Sequence, residues 1–133
     1  MIATGPLFSE TLTLTQDDFD LFARVSGDDN PIHVDPAFSA RTRFGRTVSH
    51  GMLLYTVLWG LIRKHVPAAR QESQALMFPA PAFAGEPLVF AANVEEAGTD
   101  RARLALRISR AGDGEVVCEA STDLLLGGGD EGR

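Results

Sequence analysis

The sequence is poor in the residues that would cross-link or metallate a small domain. Cys118 is its one cysteine, so neither an intrachain disulfide nor a cysteine-based metal framework can form. Basic charge is scarce too: 12 Lys and Arg stand against 18 Asp and Glu, a net charge of −6. That excludes a general nucleic-acid binder, which would carry a basic face, although a local arginine cluster could still hold a small anion. No apolar run has the length of a bilayer span. The most apolar stretch, residues 52–62, stops at Arg63-Lys64 and suits a buried helix better. Residues 1–6 lack a basic start followed by an apolar run, so a secretory signal is not expected. The reading is a cytoplasmic protein without membrane or nucleic-acid partners. There is no internal repeat and no spare length for a second domain. With 44% hydrophobic and 23% charged residues, one packed core is feasible. A single domain is expected over residues 1–126, with residues 127–133 a polar, glycine-rich and disordered tail.

Periodicity places the elements. Residues 8–14 end in an alternation of Leu and Thr, which predicts a half-buried strand. Thr15 is placed to cap a helix whose first turn holds Asp17 and Asp18. Phe19, Phe22, Ala23 and Val25 would form its apolar side. Gly27 stops it and Pro31 forbids continuation, so residues 27–35 are predicted to be a loop. Pro36 opens a short helix to about Arg43. Ser49 is placed to cap a long helix over residues 50–66, apolar on nearly every side and therefore wrapped by other structure; Pro67 ends it. Strands are predicted over 74–78, 88–94, 101–110 and 115–126, the last two joined at Ala111-Gly112-Asp113-Gly114. The order predicts an α+β domain in which an antiparallel sheet curves around one central helix.

The segment Ser26-Gly27-Asp28-Asp29-Asn30-Pro31-Ile32-His33 puts a carboxylate, an amide and an imidazole within six residues of a turn, where side chains can converge. Carboxylate and imidazole together move protons near neutral pH; as bare composition they could equally be turn residues that end a helix. The segment resembles the hydratase motif Gly-Asp-x-Asn-Pro-x-His of the MaoC-like (R)-specific enoyl-CoA hydratases and dehydratases. The similarity continues through Val34-Asp35-Pro36-Ala37-Phe38 and Val48-Ser49-His50-Gly51-Met52-Leu53-Leu54, and weakly at 78–86. It implies a hot-dog fold, a dimer, and reversible addition of water to a trans-2-enoyl thioester, with coenzyme A thioester as substrate and no cofactor or metal. By the same resemblance Asp28 and His33 are the catalytic pair, Asn30 a positioning residue, and Asp29 a solvated turn residue. Gly51 falls at the start of the central helix. There a free backbone N–H could stabilise enolate charge on the thioester oxygen, with glycine allowing close approach; tight helix packing is the alternative.

Further candidate substrate contacts are Ser49, His50, Met52, Tyr55 and Trp59 along that helix, with Arg43 and Arg46 ahead of it. Arg41, Arg43 and Arg46 could meet the phosphates of coenzyme A or form a solvated face. Met52, Tyr55 and Trp59 recur at spacings of three and four on one side of the helix. The bulk of Trp59 there predicts a short acyl tail, unless it only packs in the core. His50 is read as a cap rather than as a hydrogen bonder behind the site, and His65 as a partner of the helix C-terminus. A His33/Asp35/His50 metal site lacks supporting spacing. A thioesterase is disfavoured because residues 50–66 hold no Asp or Glu. A noncatalytic acyl-binding subunit is disfavoured because Asp28, Asn30 and His33 are all present. The nearest alternative is the catalytic subunit of a (3R)-hydroxyacyl-carrier-protein dehydratase, its thioester then borne by acyl-carrier protein. The partner expected is a second copy, or an unlike subunit in a heterodimer.

Overall fold

The computed structural model describes residues 2–127, and among them no helix is long and apolar enough to cross a membrane. Apart from Gly127, the expected tail over 127–133 lies outside the described residues. The elements run β1 (Gly5–Thr13), α1 (Gln16–Ser26), α2 (Pro31–Val34), α3 (Pro36–Ala40), α4 (Gly51–His65), β2 (Arg70–Met77), β3 (Pro87–Ala97), β4 (Arg101–Arg110) and β5 (Val116–Leu125). The strands form one antiparallel sheet in the order β1-β3-β4-β5-β2, curved around α4 as the hot-dog expectation requires.

The sheet's inner face is built by strict alternation. Leu88, Phe90, Ala92 and Val94 of β3 and Leu104, Leu106 and Ile108 of β4 are buried, and they pack with Leu53, Leu54, Tyr55, Leu58, Leu61 and Ile62 of α4 in one core. Each fully buried Leu, Ile or Phe contributes about 1.5–3 kcal/mol of transfer free energy. Every neighbouring strand pair carries a register shift, at Pro6/Phe8, Gln71/Ser73, Val94/Glu96 and Ile108/Ser109. Such shifts bend and twist a strand, which lets a short sheet wrap a helix.

Several boundaries depart from the sequence reading. β1 begins three residues early, because Pro6 is tolerated on an edge strand. β2 begins at Arg70 rather than 74; an edge strand exposed along nearly its whole length carries no apolar alternation. The 27–35 segment is not all loop: Asn30 accepts the Ile32 N–H at 3.0 Å and caps α2, with Pro31 in its first turn. α3 stops at Ala40 because the Thr42 hydroxyl turns back to the Ser39 carbonyl at 2.7 Å. Val25 is exposed rather than part of the apolar side of α1. Thr15 does cap α1, in a reciprocal box with Asp18, and Gly27 ends it in the left-handed conformation at φ 83°. Ser49 does not cap α4. His50 occupies that position without a side-chain capping bond, and the Ser49 hydroxyl donates to the His50 carbonyl at 3.0 Å. α4 is wrapped on most sides, as expected, with one open stripe: Met52 is 45% exposed, and Thr56 and Gly60 continue it.

Candidate active site

Asp28 and His33 meet because Gly27 turns the chain out of α1 and α2 turns it back. Asp28 stays exposed in the connecting turn. Its N–H donates to the Ser26 hydroxyl at 3.1 Å, and its carboxylate accepts the Asn30 N–H at 3.5 Å. Asn30 thus links the two, since the helix it caps carries His33. The His33 ring is held by its own Nδ1–H, which donates to the Val48 carbonyl at 2.7 Å. Val48 is fixed in turn by an N–H donated to the Ile32 carbonyl at 3.0 Å and by a bridge to Phe83. Gln16 locks α1 to this structure: its amide donates to the His33 carbonyl at 2.8 Å and accepts from Thr47 at 2.6 Å.

With Nδ1 protonated, the neutral His33 ring presents Nε2 as an acceptor, and it lies 3.8 Å from the Asp28 Oδ2. That is too long for a direct hydrogen bond. A water about 2.8 Å from each atom would span this gap with roughly 85° between them at its oxygen, so that each of its hydrogens could point at one acceptor with a bend of only about 10°. The side chains differ in access, 54% exposed for Asp28 and 15% for His33, so the pair opens to solvent on the carboxylate side.

Behind His33 lies His50. Its ring stacks on that of His33 at 3.9 Å with 24° between planes, and its Nε2–H donates to the Asp28 backbone carbonyl at 2.8 Å. His50 stands at the cap position of α4, as read, but its side chain makes no capping bond and takes the other reading, a buried hydrogen bonder behind the pair. Burial pushes its pKa below the ordinary imidazole value. The bond to the Asp28 carbonyl opposes this, the neighbouring His33 adds to it, and the Asp28 carboxylate opposes it. One ligand atom each from Asp28, His33 and His50 falls within 4.8 Å of the others. The stack nevertheless argues against a shared ion, because each imidazole lone pair lies in its own ring plane and one ion could not sit close to both of two stacked planes. Asp35, the residue weighed for that role, instead caps α3 through the Phe38 N–H at 3.1 Å.

Gly51 opens α4, where the first N–H groups have no intrahelical acceptor. A Cβ here would come within 2.8–2.9 Å of the Phe78 ring.

A family model described as the MaoC like domain matches residues 1–110. The chain belongs to the MaoC-like domain family. An (R)-specific enoyl-CoA hydratase from Aeromonas caviae is 43% identical over 49% of this chain and 50% of that one. A mitochondrial 3-hydroxyacyl-[acyl-carrier-protein] dehydratase from Arabidopsis thaliana is 32% identical over 67% of this chain and 54% of its own length. The matched stretches therefore span about half the length of these curated relatives. Among solved structures, an (R)-hydratase from A. caviae involved in PHA biosynthesis superposes with a TM-score of 0.88 at 30% identity, covering 95% of this chain and 98% of that one.

In this MaoC-like domain the remaining candidates are scattered around α4. Met52 faces solvent one residue after Gly51. Tyr55 is buried in the core, its hydroxyl donating to Gln71, whose Oε1 also accepts from Thr122 at 3.2 Å. Trp59 is partly buried against the core. Arg43 lies over Phe44, and Arg46 lies over Phe83 and donates to the Ala84 carbonyl at 2.9 Å. His65 is in the last turn of α4, where its ring lies 3.1 Å from Glu10 of β1 and stacks on Phe8. Burial raises the Cys118 thiol to about 11, which removes it as a nucleophile. Gln16, Thr47, Val48 and Phe78 went unnoticed as contributors, because each acts through a tertiary contact that no local pattern announces. A groove of about 730 Å³ lies elsewhere, lined by Ser9, Ala75, Ala91, Ala105, Arg107 and Ser121 among others.

Proposed function

We propose that this MaoC-like domain reversibly hydrates trans-2-enoyl thioesters to (R)-3-hydroxyacyl thioesters. The observation that carries the reading is the 3.8 Å separation of Asp28 Oδ2 from His33 Nε2, two acceptors spaced to hold one water between them. Asp28 takes a proton from that water while His33 fixes its orientation and shares the transfer. The water oxygen bonds to the β-carbon, the double-bond electrons move onto the thioester oxygen, and the α-carbon then receives the proton. The N–H at Gly51 meets the oxygen where charge develops. The hydratase and dehydratase names of the relatives support the same chemistry. The plant relative favours, as a second reading, an acyl-carrier-protein thioester run toward dehydration. Purified protein should consume crotonyl-CoA with loss of enoyl absorbance; no turnover with either carrier would defeat both readings.

Chain length is expected to be limited by Trp59. It lies eight residues beyond Gly51, roughly 12 Å along the axis at the standard rise, and is partly buried against the core. A side chain of that bulk closes an acyl path after a few carbons. We expect kcat/KM to favour crotonyl over octenoyl thioesters and Trp59→Ala to shift the optimum upward; an unmoved profile would make Trp59 purely a core residue.

The working unit is proposed to be a dimer. The open stripe of Met52, Thr56 and Gly60 on α4, with exposed Met77 and Phe78 beside the β2 edge, supports coverage by a second subunit, and an uncovered edge is itself a liability. Sedimentation should give an active homodimer. An active monomer would refute it, and activity gained only on adding an unlike subunit would replace it with a heterodimer.

A further inference from the structure

The two stacked histidines are opposite tautomers. A backbone carbonyl can only accept, so the 2.7 Å contact to Val48 puts the proton of His33 on Nδ1, and the 2.8 Å contact to Asp28 puts that of His50 on Nε2. His33 therefore turns its lone pair toward the Asp28 carboxylate. His50 turns its lone pair, at Nδ1, into the interior, where it finds no hydrogen-bond partner among the described residues. His50 is 2% exposed and packed by Phe22 at 4.9 Å and Phe19 at 6.4 Å. A buried acceptor left unpaired is destabilising, and phenylalanine would fill such an aromatic setting without that penalty. The imidazole is better explained by what its other nitrogen does. That nitrogen reaches the backbone of Asp28, while the ring face rests on His33 and the residue itself directly precedes Gly51.

We propose that His50 is a positioning residue, an Nε2–H imidazole that ties the main chain of Asp28 to the ring of His33 and so sets the gap across which the water is held. Through its place at the start of α4 it also registers that gap against Gly51. It touches no reacting atom. The titratable groups facing it are His33, from α2, and Asp28, from the preceding turn; α1 presents only Phe19 and Phe22. Burial lowers its pKa below the ordinary imidazole value, which favours the neutral ring in which Nε2–H is the donor.

The test separates the bond from the ring. Glutamine carries an amide N–H where histidine carries Nε2–H; phenylalanine keeps the ring and loses the donor. His50→Phe should lower kcat about 10–100-fold, the usual size for a residue that orients a reacting group, with KM little changed, and His50→Gln should recover most of the loss. Equal losses in both variants, a change confined to KM, or wild-type kcat in His50→Phe would overturn the proposal. These kinetics rest on the hydratase reading; a second measurement does not. With three histidines in the chain, imidazole ¹⁵N signals can be assigned by single substitutions. At neutral pH His50 should report an Nε2–H ring, and the His33 signals should move in His50→Phe more than in His50→Gln. A His50 that titrates like a free imidazole, or protonates at Nδ1, would defeat the assignment. An inactive wild type would count against the hydratase reading and leave the spectra to decide this one.

Discussion

Asp28→Asn is expected to lower kcat/KM for an enoyl thioester by about 10²–10⁴-fold, the usual contribution of a positioned general base, without loss of the fold. The two effects separate because of where Asp28 sits. Its side chain is 54% exposed, so it carries little of the core. An amide oxygen can still accept the Asn30 N–H that the carboxylate accepts now, so the turn should survive. What the amide cannot do is take a proton. His33→Gln should cost a comparable factor, since it removes the Nε2 acceptor on the far side of the gap. Because one water needs both groups, the double variant should be little worse than the poorer single one. Asp29→Asn, one residue along the same exposed turn, should be mild. Equal losses at 28 and 29, or Asp28→Asn turning over near the wild-type rate, would move the base elsewhere.

The site was legible in the sequence where chemistry and chain order coincide, and obscure where a tertiary contact decides. Asp28, Asn30 and His33 stand within six residues, so a turn brings them together whatever the rest does. β4 follows its alternation from Arg101 to Arg110, and Thr15 announces α1 because capping is a local event. Pro31 misled because proline ends one helix and starts another equally well, and only the Asn30 cap distinguishes the cases. β2 was truncated because Arg70-Gln71-Glu72-Ser73-Gln74 shows no apolar period: it is a sheet edge with solvent along nearly its whole length. His50 was misjudged for another reason. Its place beside a helix start is local, but the bond that occupies it runs to Asp28, 22 residues earlier. Gln16 is the same case, since two of its partners, His33 and Thr47, lie 17 and 31 residues later.

Gly51→Ala should lower kcat by about 10²–10³-fold, the scale on which enzymes lose an oxyanion donor, and Phe78→Ala in the same chain should fail to restore it. The pairing of substitutions is needed because two explanations compete for this glycine. The structure supplies a packing reason: an alanine Cβ would stand 2.8–2.9 Å from the Phe78 ring, closer than real contacts allow. The contact is with the far end of a side chain that is 40% exposed, however, so the ring can swing aside. The fold should therefore persist. If glycine is there only to admit Phe78, shortening Phe78 removes the clash and the double variant recovers. If it is there to let a thioester oxygen reach the free N–H at the start of α4, the methyl group blocks that approach whether or not the ring is present. The single and double variants should then be equally slow at matched thermal stability. Recovery of kcat in the double variant would return Gly51 to packing and leave the developing enolate without its proposed donor.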